Sequence, residues 1–259
     1  VSSSSPRIQL GPVPVDCVTR EQAVDRIEQL VSAGEGGAVF TPNVDHVVLA
    51  DENRAFRAAY ARVSLSLADG MPLVWSSRLL GTALPERVAG SDLAFPLLER
   101  AAARGWRVFF FGGDPGVAET ARDKVLASLP LLDFAGVAAP MVRLEASDEE
   151  REAVIRPLVA AKPNLVLVAL GAPKQEIWID QVRSAVRPAV LVGVGASLDF
   201  LAGTIPRAPR WMARSGLEWL FRLGREPRRL WKRYLVRDPK FLVILASMMR
   251  ERATTRSAG

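Results

Sequence analysis

Cysteine and histidine each occur once in the 259 residues and tyrosine twice. No stretch approaches the roughly 20 apolar residues that cross a bilayer. Each scarcity removes a class of function. A lone Cys17 cannot form an intrachain disulfide and fits a reducing compartment. A lone His46 excludes a histidine-rich metal site. The longest clean apolar run near the end, FLVILASMM, covers nine residues and is too short to span. The opening VSSSSPRIQL lacks the apolar core of a leader peptide. The chain is therefore expected to be soluble or peripheral on a membrane. A G-x-G-x-x-G fingerprint after the first strand is also missing, which counts against a nicotinamide-dependent oxidoreductase.

What is present is apolar residues, at 49% of the chain, enough to bury a large core. The net charge of +6 is unevenly spread. From Ile205 onward there are 14 Lys and Arg against 4 Asp and Glu, while residues 1–204 carry 20 against 24. Two regions of opposite sign predict two roles and two parts: a main domain over 1–204 and a basic, Trp- and Arg-rich helical appendage over 205–259. The seam falls at GTIPRAPRW (203–211), where two prolines meet the change of charge.

Within 1–204 the pattern alternates. A loose lead-in with a short strand near VPVDCV precedes a helix capped by Thr19, with Gln22 three residues on as a capping box. Strands are expected at GGAVF, SLSLAD, WRVFFFGG, LDFAGVAAP, PNLVLVALG and AVLVGVG. Helices are expected over 43–63, over 70–81, from a Ser91 cap to Gly105, and over 114–130, 147–162 and 172–186. Near-continuous apolar strands separated by helices predict a doubly wound, Rossmann-like, mostly parallel α/β sheet.

In such a sheet, ligands bind beyond the carboxyl ends of the strands. The residues that follow each strand are Thr41, Pro42 and Asn43; Asp69 and Gly70; Gly112, Gly113 and Asp114; Gly171 to Gln175; and Gly195 to Asp199. Each has a plain reading as well. Asp69 or Asn43 caps a helix equally well, and GGDPG serves equally as a bare turn. Arg87, just before a helix start, is either an anion site or an ordinary surface arginine beside a Ser91 cap. His46 reads better as a packed histidine than as a catalytic one. Lys174 and Gln175 side by side at a strand exit are harder to explain structurally.

Together, TPNVDHVVLA (41–50), LADGMPLVW (67–75), LPERVAGSDL (84–93), GAPKQEIWI (171–179) and GVGASLDFLAG (193–203) resemble the WecG/TagA/CpsF glycosyltransferase family. RAPRWMARSGLEWLFRLGREPRRLWKRYL (207–235) extends the likeness in the same order. The resemblance implies an inverting, metal-independent transferase. It would move a sugar, often N-acetylmannosamine, from a UDP donor to a polyprenyl-diphosphate-linked sugar for cell-surface polysaccharide or teichoic acid. It also implies Asp69 as general base, with Thr41, Asn43, Arg87, Gln175 and Asp199 as site residues, and a C-terminal appendage that closes over the site and touches the membrane. At Met71-Pro72 the chain departs from a glycine-containing turn, so glucose- or uronic-acid-transferring members are the alternative.

The chemistry is consistent with those residue types. An attacking hydroxyl needs a carboxylate to take its proton. A departing diphosphate needs positive charge. The chain has no Asp-x-Asp triplet to hold a cation, so Arg87, Arg222, Arg229 and Arg233 are expected to supply it, with no cofactor. Gly112, Gly113 and Gly195 would let backbone approach the uridine, Asp199 would accept from a sugar hydroxyl, and Gln175 would face the transferred sugar. Trp and Arg interleaved on the last helices predict docking to an anionic membrane surface, on the cytoplasmic, inner face of the cell membrane. A homo-oligomer is compatible with the chain. A nucleic-acid-binding protein using the basic tail is the rival reading, although its aromatics form no RNA-binding signature.

Overall fold

A computed structural model describes residues 6–209, 211–212 and 215–257. The serine run at 2–5, and positions 210, 213 and 214 of the Arg- and Trp-rich motif, lie outside the described residues. The chain opens with an antiparallel hairpin, β1 (Arg7–Leu10) and β2 (Val13–Asp16), where a single short strand was expected. Helix α1 (Arg20–Ala33) starts at the predicted Thr19–Gln22 capping box and ends at Gly34 in the left-handed conformation.

Six parallel strands follow: β3 (Gly37–Phe40), β4 (Leu65–Ser66), β5 (Val108–Gly112), β6 (Phe134–Ala138), β7 (Leu165–Ala169) and β8 (Val190–Gly193). Their order across the sheet is β4-β3-β8-β7-β5-β6, all parallel, as the apolar runs predicted. Chain direction across the sheet reverses around β3, because β4 lies on one side of it and β8 on the other.

The connecting helices are α2 (Val44–Glu52), α3 (Arg54–Ala61), α4 (Met71–Leu79), α5 (Gly90–Arg104), α6 (Val117–Ser128), α7 (Asp148–Ala161), α8 (Lys174–Val182) and α9 (Ser197–Ala202). The single helix expected over 43–63 is two. Asn53 adopts an extended conformation, closes α2 through its N–H to Leu49, and caps α3 by accepting from the Phe56 N–H at 3.0 Å. Helix α5 begins at Gly90 with Ala89 in the cap position and no side-chain cap bond, not at a Ser91 cap. The Val88 N–H bonds Ala68 O at 2.8 Å, which holds this turn against the exit of β4 and starts the helix early.

Alternation along each strand divides the core. Phe109 and Phe111 face the layer that holds α2, α3 and α8, and Phe111 stacks on the buried Trp178 at 4.3 Å. Val108 and Phe110 face the layer that holds α1, α5 and α6. Both faces are therefore dry, which is why these strands read as unbroken apolar runs.

After α9 come α10 (Glu218–Arg225), α11 (Pro227–Trp231), a π-helical turn (Lys232–Arg237) and α12 (Lys240–Ser257). The last helix returns to the sheet: Phe241 and Leu245 join the core beside α2, and the Gly11 N–H meets Met248 Sδ at 3.0 Å. Among the described residues no helix is long and apolar enough to cross a membrane.

Candidate active site

The site grows from the reversal around β3. Parallel pairing continues past the regular strands: the Leu67 N–H bonds Phe40 O at 2.9 Å, and the Asp69 N–H bonds Pro42 O at 2.7 Å. That ladder lays Asp69 beside the Thr41–Asn43 turn. Asp69 caps nothing, because Gly70 holds the cap position of α4 and contributes no side chain. Pro72 falls in the first turn of α4, where its missing N–H costs least. Asn43 caps α2, and Thr41 donates to Gly193 O at 3.1 Å.

The Val88–Ala68 contact also delivers Arg87 to Asp69. Arg87 Nη1 lies 3.9 Å from Asp69 Oδ1 and 2.8 Å from Glu218 Oε2, while Nη2 lies 2.5 Å from Asp92 Oδ2. The Asp69 carboxyl is pushed up to about 7. Burial is the main cause, and the negative charge of Glu218 adds to it against the pull of Arg87 and Arg222. A carboxylate with this proton affinity is suited to general base work near neutral pH.

Gln175 is buried, and its amide is committed to protein partners. Oε1 accepts from the Gly195 N–H at 3.0 Å, and Nε2 donates to Glu176 Oε1 at 2.8 Å. The residue ties the exit of β7 to that of β8. Gly193 makes room for it: a Cβ there would sit 2.5 Å from Gln175 Nε2. Glu176 is fully buried, and its carboxyl is raised to about 7, chiefly by burial. A carboxyl raised in the fold adds stability that is complete below its unfolded value, near 4.5, and is lost as pH climbs through 7. Glu176→Gln is therefore expected to gain stability over the parent between pH 5 and pH 8 by on the order of 3 kcal/mol. Urea midpoints at the two pH values check this, and parallel pH profiles would contradict it.

The C-terminal helices reach the same place. Asp45, in the first turn of α2 with its side chain 4% exposed, pairs with Arg237, and its Oδ2 lies 3.3 Å from Arg233 Nε. Arg222 lies over the Phe200 ring at 5.6 Å and 3.9 Å from Glu218. Arg229 pairs with Glu226 at 2.6 Å and is two-thirds exposed. His46 is packed, as preferred above: its Nδ1 is 2.7 Å from the Tyr60 hydroxyl, and burial together with Arg233 and Arg237 lowers it to about 3.

These groups line a cavity of about 700 Å³. It brings together Thr41, Asn43, Asp69, Arg87, Gln175, Gly195, Arg222, Arg229 and Arg233. Gly112, Gly113 and Asp199 are not on its wall. Gly112 ends β5 and Gly113 follows it, and β5 is separated from β3 by β7 and β8, roughly 14 Å at the usual strand spacing. Gly112 serves close packing instead, since a Cβ there would fall 2.5 Å from Ala169 O. Asp199 accepts from the Thr204 hydroxyl at 3.3 Å, and burial raises its pKa.

Sequence reasoning passed over Asp45, Glu176, Glu218 and Arg237. The first three lie inside quoted motifs, Asp45 next to His46 and Glu176 next to Gln175. A carboxylate within an otherwise apolar helical stretch was the available signal. Among the described residues, no group of three or more His, Cys, Asp or Glu is placed to hold a metal ion.

A cavity lined by five arginines, with Asp69 at a strand exit on its wall, suits an anionic ligand. Comparison with known proteins narrows the chemistry. The model of the glycosyl transferase WecG/TagA/CpsF family matches residues 8–257. The N-acetylglucosaminyldiphosphoundecaprenol N-acetyl-beta-D-mannosaminyltransferase of Bacillus spizizenii W23 is 34% identical over 222 residues, 86% of this chain and 82% of that protein. The protein of the same description from Bacillus subtilis 168 is 34% identical over 200 residues, 77% of this chain and 75% of that one. The match runs through the strand ends and the C-terminal helices alike, and the chain belongs to the WecG/TagA/CpsF family of glycosyltransferases.

Proposed function

We propose that this chain transfers N-acetylmannosamine from a UDP donor to the N-acetylglucosamine of a polyprenyl-diphosphate-linked acceptor, with inversion and without a metal. The carrying observation is the Asp69 carboxyl, raised to about 7 and fixed at a strand exit on the wall of a cavity that five arginines line. The names of the two relatives supply the sugar and the acceptor.

In this reading the acceptor hydroxyl gives its proton to Asp69 as its oxygen bonds the anomeric carbon. The bond from that carbon to the diphosphate breaks on the opposite face, and the electron pair leaves with UDP. Arg222 and Arg229 are the arginines with most freedom to meet that charge, because Arg233 and Arg237 are tied to Asp45. Thr41 and Gln175 act through the backbone they hold, setting the shape of the strand exits.

The C-terminal segment leaves Trp211, Trp231, Leu235, Val236, Leu242 and Val243 exposed, with Arg225, Arg228 and Lys232 at the surface among them. Apolar and cationic side chains together fit the interface of an anionic bilayer, each cation contributing about 1 kcal/mol. A lipid-linked acceptor gives such docking a use at the inner face of the cell membrane.

The test is a transfer assay with a short-chain acceptor and a panel of UDP-sugars, run in EDTA and again with magnesium. Product from UDP-N-acetylmannosamine at equal rates in both is expected. A donor preference for UDP-glucose or a UDP-uronic acid would overturn the choice of sugar. Silence in EDTA would overturn the arginine-for-metal mechanism.

A further inference from the structure

Arg87 stands where two cavities meet. One is the cavity of Asp69; the other, about 760 Å³, is lined by Arg20, Ser91, Asp92, Phe95 and Arg207. Arg87 and Glu218 line both, so their ion pair forms part of the wall between them. Glu218 opens α10 and is the one carboxylate of the C-terminal segment on this wall.

The guanidinium is divided unevenly. Nη1 donates to Glu218 Oε2 at 2.8 Å and Nη2 to Asp92 Oδ2 at 2.5 Å. Asp69 Oδ1 is 3.9 Å from Nη1, outside hydrogen-bond reach. Asp69 thus has the arginine as a neighbouring charge but not as a donor. If Nη1 lost Glu218, the Asp69 carboxylate, 3.9 Å away, would be within a small side-chain movement of it. A carboxylate hydrogen-bonded by arginine is a poor base, its proton affinity lowered by roughly 1–3 pKa units.

We propose that Glu218 is a positioning residue for sugar transfer: by taking the Nη1 hydrogen bond it keeps Arg87 off Asp69 and leaves that carboxylate free to accept the proton of the incoming hydroxyl. The inference rests on Asp69 being the base. It gives the C-terminal segment a second task besides supplying cations, because the base reaches full strength only when α10 is seated. The charged and titratable groups that face Asp69 are Arg87 before α5, Asp92 on α5, Glu218 and Arg222 on α10, and the Tyr60 hydroxyl on α3. Of the two acids among them, Glu218 has the larger effect on Asp69.

The test is the pH dependence of kcat for the 259-residue chain and its Glu218→Gln, Glu218→Asp and Asp69→Asn variants. Glutamine at this position removes a like charge and leaves Nη1 only a neutral amide oxygen, a weaker acceptor than the carboxylate, and both changes lower the proton affinity of Asp69. The acid limb of Glu218→Gln should therefore move to lower pH by about one unit, with a plateau rate roughly tenfold lower. Glu218→Asp, which keeps the charge, should restore the limb toward its original position. An unmoved limb in Glu218→Gln beside an inactive Asp69→Asn overturns the role of Glu218 and leaves the base standing. A rate lowered equally at every pH likewise overturns it, since a merely structural residue behaves that way. Turnover surviving in Asp69→Asn refutes the base itself, and the inference falls with it.

Discussion

Asp69→Asn is expected to lower kcat by roughly 10²–10⁴-fold while leaving UDP affinity nearly intact. Asparagine has the same shape and can take the same place beside the Thr41–Asn43 turn, but it cannot accept a proton. Its backbone N–H still bonds Pro42 O at 2.7 Å, so the strand exit survives. The fold should not suffer. A carboxyl raised to about 7 contributes stability at low pH that is lost as pH rises through that value, and asparagine carries no such dependence. At pH 8 the variant should melt no lower than the parent. Calorimetric titration with UDP and a transfer assay at pH 8 separate the two effects. Loss of nucleotide binding in parallel with loss of rate would make Asp69 a binding residue and not a base.

Asp45→Asn should have the next largest effect, and at some distance from the chemistry. Asp45 is the one carboxylate, among the described residues, that pairs with both Arg233 and Arg237. Breaking a buried pair by removing one partner costs about 3–5 kcal/mol, because the surviving charge is stranded. Here the arginine side chains are 23% and 37% exposed and can turn to water, so about 1–3 kcal/mol is the better expectation. Much of that loss should fall on the seating of residues 218–237. Amide exchange there should quicken, and kcat/KM should fall roughly tenfold or more, since 1.4 kcal/mol is one decade. The proposed docking to anionic vesicles should be unaffected by this change, because Trp211, Trp231 and Leu242 remain exposed on the segment itself. Unchanged exchange over 218–237 would mean that α12, through Phe241 and Leu245, seats the segment unaided.

Much of the scaffold could be read directly. Phe109, Phe110 and Phe111 in succession require a strand buried on both faces, and six such runs between helices leave a parallel sheet as the economical solution. Strand ends follow from strands, so Thr41, Asn43, Asp69, Gln175 and Gly195 could be placed on one rim before any coordinates. What strand ends do not carry is lateral order. Gly112 and Gly113 end a strand as surely as Asp69 does, but β5 lies beyond β7 and β8 from the reversal, and no local pattern records that distance. Gln175 lines the cavity, but no local pattern records that its amide bonds the Gly195 N–H and Glu176.

By itself, then, the amino-acid order determined the fold class, the rim, the family and the basic character of the last fifth. Those depend on periodicity, composition and motif spacing, which are local. The tertiary structure alone decided who pairs with whom: Asp45 with Arg237 across 192 positions, and Arg87 with Glu218 across 131. A charged side chain carries no mark of its distant partner, and packing chooses that partner by bringing two backbone segments within a few ångströms. The same packing partly shields Asp69, whose side chain stays 31% exposed, and sets Glu218 near it, which together raise its proton affinity to about 7.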